Sequence, residues 1–558
     1  MTLAALRQPI KAWLAPLAQP AEAEPLDYPF APSDVARLHD VGTQAPGDDL
    51  DDQTWRDLLV ERYAAALAPR TSIFGRQLLY RRLRAGTPDA GVAVQRTRIE
   101  RLLADPAQAD TLHRTLRSLR DAEVEVAGVL FDERAAPAPA QPALVARAPL
   151  LMVLLLASVA AALLLSPLGW IGVGVALYLL VAIQMRWRER AVEWARTTHA
   201  LRMLLRCCAL LDGGGLPLAE DFAGMRQPAG RLGRALARSP LAGAVPGAGE
   251  YGDWFVAANI RHYFRTLSLV AAQREFLRRC FMLCAELEAD LALARHLRAR
   301  ADWCWSSRGG ARTLVLEGGV HPLVDGAAPL SLDADGRGVF LSGQNGVGKS
   351  TFLRMLGLNL VAARAFGVCY ARRAELPAVP VVASMQNEDS LLQGHSLYVA
   401  ELERARELLA AAGGGRPVVC LVDEVFRGTN HEESVSAAAA VLDELARDAL
   451  VVVSSHNLVL GPLLAHRLDP WRIVQAQGGG LRLEPGVLGR TNGVALLAQR
   501  GFGAGVQQKA EAVAAWLAAQ RRGEEGADLL APRRANVVPA QAGTHAGRPE
   551  PHGKQIDS

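Results

Sequence analysis

The chain has 558 residues, half of them hydrophobic, 6% aromatic and 21% charged, with a formal net charge of +4. That length leaves room for three or four domains, and the charge balance is too mild to point to nucleic acid by itself. Seven cysteines, an odd number with no pair at metal-ligand spacing, fit a reduced compartment.

Residues 1–50 are rich in Pro, Ala and Asp and are expected to be disordered. The opening MTLAALRQPIKAWLAPLAQP carries no signal-peptide pattern, because its apolar run is short and broken by charge. Residues 51–133 read as helices, and 134–147 form a Pro/Ala linker. From 148 to 185 there is no charged residue at all. Such a run exceeds one membrane span and fits two of about 18 residues each, broken midway at Ser166-Pro167-Leu168-Gly169. Arg147 stands on one flank and Arg186, Arg188 and Arg190 on the other. The positive-inside tendency then puts both flanks in the cytoplasm. The expectation is a two-span transmembrane helical hairpin in the inner (cytoplasmic) membrane, with the soluble parts cytoplasmic. The competing reading, a buried hairpin in a soluble core, would normally show a polar face.

Residues 186–310 return to helix. Apolar residues recur in steps built from three and four at Phe264, Leu267, Val270, Leu277, Cys280, Cys284, Leu287 and Leu291, predicting one long amphipathic helix over 261–300. Its arginines and glutamates alternate in sign, as on a solvated face. Cys280 and Cys284 read as core residues.

Residues 311–503 alternate strands with helices. VFLSGQNGVGKSTFLRML is a strand, a glycine loop and a helix start, and Gly343-x4-Gly348-Lys349-Ser350 fits the phosphate-binding loop in full. Its backbone N–H groups and the helix N-terminus favour phosphate oxygens. Gly343, Asn345, Gly346, Gly348, Lys349, Ser350 and Thr351 are the candidate ATP-binding residues. Lys349 can reach the β- and γ-phosphates and Ser350 can hold Mg²⁺. PVVCLVDE reads as a buried parallel strand ending in Asp423, a candidate Mg²⁺ ligand, and Glu424, placed to polarise the attacking water. ALVVVSSH ends in His456, positioned to sense the γ-phosphate. AGVQQKAEAVAAWLAAQRR, within 504–523, reads as a C-terminal helix, and 524–558 has the composition of a disordered tail.

These motifs resemble, in order, those of the MutS family of mismatch-repair ATPases. The likeness covers most of 311–520. It rests on GQNGVGKSTFLR, on EDSLLQGHSLYVAEL with Asp389, Leu391, Gly394, Ser396, Tyr398 and Glu401, and on DEVFRGTN with Gly428-Thr429. It also rests on GVHPLV with His321-Pro322 and on PGVLGRTNGVALLAQRGFGAGVQQKA, where Asn492-Gly493 stand in place of the family's usual Tyr-Gly. More weakly, residues 71–107 resemble the start of the family's helical core. The resemblance implies a homodimer with composite ATP sites, Thr429 and Asn430 reaching the partner's nucleotide. It also implies helical levers moved by the ATP cycle. About 70 residues precede the helical core, too few for the family's mismatch-reading and connector domains, and the hairpin falls where the family inserts its DNA clamp. The levers' load, DNA or a protein partner, is not fixed by the residues. The fold class expected is therefore mixed: a helical core with a transmembrane hairpin, then an α/β P-loop NTPase domain. The alternative, an ABC-type transport ATPase, should carry an LSGGQ-like signature before the second acidic motif, and none stands between 352 and 417.

Overall fold

Helices Ile73–Ala85 and Arg274–Arg298 form the spine of the helical part in this computed structural model, which describes residues 27–42, 49–134, 139–213, 217–238, 248–344, 346–385, 397–426, 429–476, 480–489 and 501–520. Phe74 meets Phe281 edge-on at 5.2 Å between the two helices. The buried Glu288 carboxylate accepts from the backbone N–H groups of Ser72 and Gly75 at 2.9 and 3.1 Å, so an acid of one helix caps the orphan donors of the other. Burial raises its pKa. Asp290, also buried, pairs with Arg82 at 2.7 Å.

Three expectations change here. Helix Pro32–Asp40 lies inside the segment expected to be disordered: proline starts it, and Leu38 is buried where the helix packs on Ile73–Ala85. The long helix expected over 261–300 is two helices, Ala258–Ala272 and Arg274–Arg298, divided at Gln273, whose φ of −109° and ψ of 18° leave the helical basin. The second arm of the hairpin does not stop at the charge boundary. It runs without interruption from Gly169 to Gly213, 45 residues.

The hairpin's first arm, Ala148–Leu164, packs directly on the second. Small residues set the approach: a Cβ on Gly172 would stand 2.4 Å from the Ser158 hydroxyl, and one on Gly169 would strike the Ala162 backbone. The opposite faces turn Leu150, Val153, Leu156, Leu163, Ile171 and Tyr178, among others, outward. By length and composition Gly169–Gly213 is long and apolar enough to cross a membrane, whereas Ala148–Leu164 has 17 residues.

The remaining elements are strands β1 (Cys304–Trp305), β2 (Ser307–Arg308), β3 (Thr313–Gly319), β4 (Leu330–Asp335), β5 (Gly338–Gly343), β6 (Val368–Cys369), β7 (Arg373–Leu376), β8 (Val381–Ser384), β9 (Val419–Asp423), β10 (Leu450–Ser454), β11 (Leu468–Gln475) and β12 (Leu481–Pro485). Six of them form one sheet in the order β12-β11-β5-β10-β9-β8, parallel except for β12. Strands β5, β9 and β10 are buried at every position, as continuous apolar runs covered on both faces must be. Helix Lys349–Phe366 covers one face and His431–Asp448 the other. β2, β7, β3 and β4 make a second sheet, and β1 pairs with β6.

The helical part and the large sheet share one apolar core. Leu58 fits against Gly357 of the helix Lys349–Phe366, and the hydroxyls of Tyr63 and Tyr370 lie 2.7 Å apart. Helix Asp52–Asp57 closes the open edge of the sheet. Ala383 N–H donates to the Thr54 hydroxyl at 2.9 Å and Met385 N–H to the Asp57 carboxylate at 2.8 Å. An edge that could pair with another chain is thereby covered.

Candidate functional site

The site lies where ligands bind in open α/β sheets, at the carboxyl ends of the parallel strands. Register fixes it. Ser454, the last residue of β10, stands beside Asp423 of β9 on one side and Leu341 of β5 on the other. The ends of three adjacent strands therefore meet, and the glycine loop leaves β5 two residues further on.

That loop needs glycine for a physical reason. Gly346 and Gly348 have φ of 75° and 99°, a region L side chains avoid, and Gly348 starts helix Lys349–Phe366. Lys349 is buried, and its ammonium donates to the carbonyl oxygens of Gly343 and Gln344 at 3.2 and 3.3 Å. Burial lowers its pKa, while the charges of Glu424 and Asp423 oppose that shift, which places all three groups in one field. Ser350 and Thr351 follow in the first helical turn, Ser350 half-buried and Thr351 exposed.

Asp423 is 4% exposed, and its carboxylate accepts a short hydrogen bond from the Ser454 hydroxyl. No ion pair to it occurs among the described residues. Glu424 sits at φ 56° with its N–H donating to the Ser454 carbonyl at 3.0 Å, and its carboxylate lies 2.5 Å from His456 Nε2. Phe426 also has φ 56° and is fully buried, edge-on to Tyr398 at 5.9 Å. Two bulky left-handed residues in three positions are held there by their surroundings. The turn fixes Glu424 outward from the strand end, toward His456.

Sequence reasoning thus finds Lys349, Asp423, Glu424 and His456, and the structure brings them to one sheet edge. It misses Ser454 and Phe426. Ser454 was visible two residues before His456, at the end of an apolar strand. Thr429 and Asn430 are engaged locally: the Asn430 side chain accepts from Glu433 N–H at 2.9 Å as the N-cap of His431–Asp448, and the Thr429 hydroxyl donates to the Glu433 carboxylate. Asn345, Gly428, Asp389, Leu391, Gly394, Ser396 and Asn492-Gly493 lie outside the described residues. His321 is buried, accepts from Leu323 N–H at 3.1 Å, and is pushed down to about 4 by burial and then by Arg354 and Arg300, so it is neutral at physiological pH.

The comparisons with known proteins agree with this geometry. The family model of MutS domain V matches residues 339–469, from the first residues of β5 to the start of β11. A DNA mismatch repair protein MutS of Thermus aquaticus is 31% identical over 261 residues, covering 45% of this chain and 32% of the relative. A DNA mismatch repair protein MutS of Sorangium cellulosum is 27% identical over 312 residues, 50% of this chain and 34% of the relative. A DNA mismatch repair protein MSH3 of Phaeosphaeria nodorum is 28% identical over 218 residues, 37% and 19%. The chain spans about a third or less of the length of these curated relatives. The matched segment carries the glycine loop, the buried Asp423 and the turned-out Glu424 on neighbouring strands, so residues 339–469 are a domain of the MutS domain V family.

Proposed function

We propose that this chain is a membrane-anchored ATPase that couples ATP binding and hydrolysis, in a homodimer, to movement of its helical part. The observation that carries the reading is the meeting of Lys349, Asp423 and Glu424 at one sheet edge, with His456 2.5 Å from the Glu424 carboxylate. The glycine loop, residues Gly343 to Thr351, cradles the phosphates, with Lys349 turning from its two carbonyl partners toward them. A buried carboxylate is costly unless a cation joins it, and Asp423 has no ion pair among the described residues, so Asp423, with Ser350, fits Mg²⁺. The ion would neutralise phosphate charge. Glu424 holds and polarises the attacking water, and His456 fixes the Glu424 carboxylate in place.

Anchoring is supported by the outward apolar faces of both hairpin arms, which form a surface far too continuous for water. Both arms would enter the inner membrane, leaving the ATPase domain in the cytoplasm. Pairing is supported by helix Ala504–Gln520, which turns Val506 and Val513 outward in the single chain. Thr429 and Asn430 would face the partner's nucleotide. DNA is the load favoured by the relatives' printed names, and a protein load is the alternative. Binding to homoduplex, mismatched and branched DNA across salt concentrations separates the two by its salt slope.

The direct test is Glu424→Gln in the full chain. It is isosteric, so ATP binding should persist while turnover falls about 10²–10⁴-fold with loss of the base. Lys349→Ala should weaken binding itself. Turnover equal to wild type in the Glu424 variant would overturn the assignment.

A further inference from the structure

A short helix, Ala248–Val256, lies at the base of the hairpin. Its sequence, AGEYGDWFV, places Tyr251, Trp254 and Phe255 at steps of three and four, and the rings of Tyr251 and Phe255 stack at 6.3 Å. Phe255 packs inward against the cluster formed by Val145, Leu151, Leu180 and Ile183. Tyr251 and Trp254 do not: they are 67% and 46% exposed.

The level of this helix is fixed by hydrogen bonds. The Gln184 side chain donates to the Asp253 carbonyl at 2.5 Å, and Asn259, just beyond the helix, donates to the Gln184 amide oxygen at 3.3 Å. Gln184 and Met185 are the last residues of the uncharged run, and Arg186 begins the charged one. The two exposed aromatic rings therefore stand at the height where the apolar surface of the hairpin gives way to arginine. At that same height Arg147, Arg186, Arg188 and Arg190 are exposed, with Arg186 and Arg190 lying over the Trp187 ring at 5.7 and 5.3 Å. Of the helix's own acids, Asp253 is paired with Arg238, and the exposed Glu250 stands one turn before Trp254.

Single exposed apolar side chains are ordinary on any surface. Here two aromatic rings with polar edges adjoin a continuous apolar surface, at its boundary, beside four cations. Tyrosine and tryptophan favour the headgroup level of a bilayer, where one end of the ring is dry and the other wet, and the cations match lipid phosphate in charge. From this we infer that Ala248–Val256 is a third membrane-contacting element, an interfacial helix that lies along the lipid headgroups of the cytoplasmic leaflet and seats the helical part on the membrane surface through Tyr251 and Trp254. The occupant of this aromatic face is lipid, not a protein groove. The inference rests on the hairpin reading above and adds a surface that no uncharged run announces.

The test uses the full chain in lipid vesicles, in a Cys304→Ser background, since the other cysteines are buried. An environment-sensitive fluorophore is attached in separate proteins at Trp254→Cys, at Leu156→Cys midway along the first hairpin arm, and at Gln227→Cys on the exposed face of helix Arg226–Leu236. Lipids carry bromine either high or deep on their acyl chains. The expected result is blue-shifted emission and quenching at 254 mainly by the shallow bromines, at 156 mainly by the deep ones, and at 227 by neither. Quenching at 156 with none at 254 overturns the inference and leaves the hairpin standing. Quenching at neither position removes the membrane reading on which both rest.

Discussion

Gly357 offers a test of how the helical part grips the ATPase domain. It sits in the middle of helix Lys349–Phe366, where propensity alone says alanine should be better by about 1 kcal/mol. The structure says the reverse. A Cβ there would stand 2.4 and 2.9 Å from the two Leu58 methyl carbons and 2.9 Å from Leu421 Cδ1, against the roughly 3.5–4.0 Å at which carbon atoms rest in contact. Leu58 and Leu421 are both fully buried, so neither has solvent to move into. Overpacking of this kind costs about 1–3 kcal/mol, and three close contacts against fixed neighbours put Gly357→Ala in the upper part of that range. After the propensity gain is subtracted, the net loss is about 1–2 kcal/mol, or a fall of about 1–2 °C in Tm for a chain of 558 residues unfolding as one unit. Thermal unfolding in detergent measures it. Leu58→Ala alone opens a cavity and costs about 2–5 kcal/mol. In the double variant the new methyl fills part of that space, so the two losses should add to less than their sum by 1 kcal/mol or about that. A Gly357→Ala protein more stable than wild type, or strict additivity of the pair, would refute the packing argument.

Further outcomes follow from the same geometry. His456→Ala removes the 2.5 Å bond to Glu424 and should slow turnover about 10–100-fold, as loss of a charged hydrogen bond does, with ATP affinity little changed; a single-turnover assay reads it. Asp57 has its pKa raised to about 6 by burial. Its protonated form favours folding, so that stability is full below about pH 4 and declines as pH rises toward 6, by up to about 3 kcal/mol; Asp57→Asn should flatten this slope in denaturation curves taken across that window. Asn430→Ala should lose about 1 kcal/mol of helix capping. If the residue also reaches the partner's nucleotide, a chain carrying both Lys349→Ala and changes at Thr429 and Asn430 should silence a wild-type partner in a mixed dimer, whereas half-activity would confine Asn430 to its cap.

The parts of the site that could be read from the chain are those whose chemistry dictates residue types in one contiguous stretch. The glycine loop ending in Lys349-Ser350 and the strand ending in Asp423-Glu424 are such stretches. Ser454 was hidden because its bond to Asp423 depends on the register of β10 against β9, which no local pattern states. The break at Gln273 was hidden for a different reason. Apolar steps continue on both sides of it, so periodicity runs through a residue whose backbone leaves the helix. At Arg186 the error went the other way: a change from uncharged to charged sequence was read as a change of element, yet a helix hydrogen-bonds within itself and runs through such a boundary unbroken. Pro32–Asp40 offered too few apolar positions to show a period, and its order comes from contact with Ile73–Ala85, including the Gln77 side chain donating to the Asp34 carbonyl at 2.6 Å.

The unbroken run from Gly169 to Gly213 constrains symmetry. A helix of that length is a rod of about 68 Å, with its apolar end and its core-packed end rigidly joined. Once the apolar end lies in a bilayer, a second copy must enter the same bilayer from the same side. Two copies can then be related only by a two-fold axis normal to the membrane plane. An axis lying in that plane would send the second rod in from the opposite compartment. In the anchored dimer proposed above, the two sheet-bearing domains would therefore stand side by side above one leaflet.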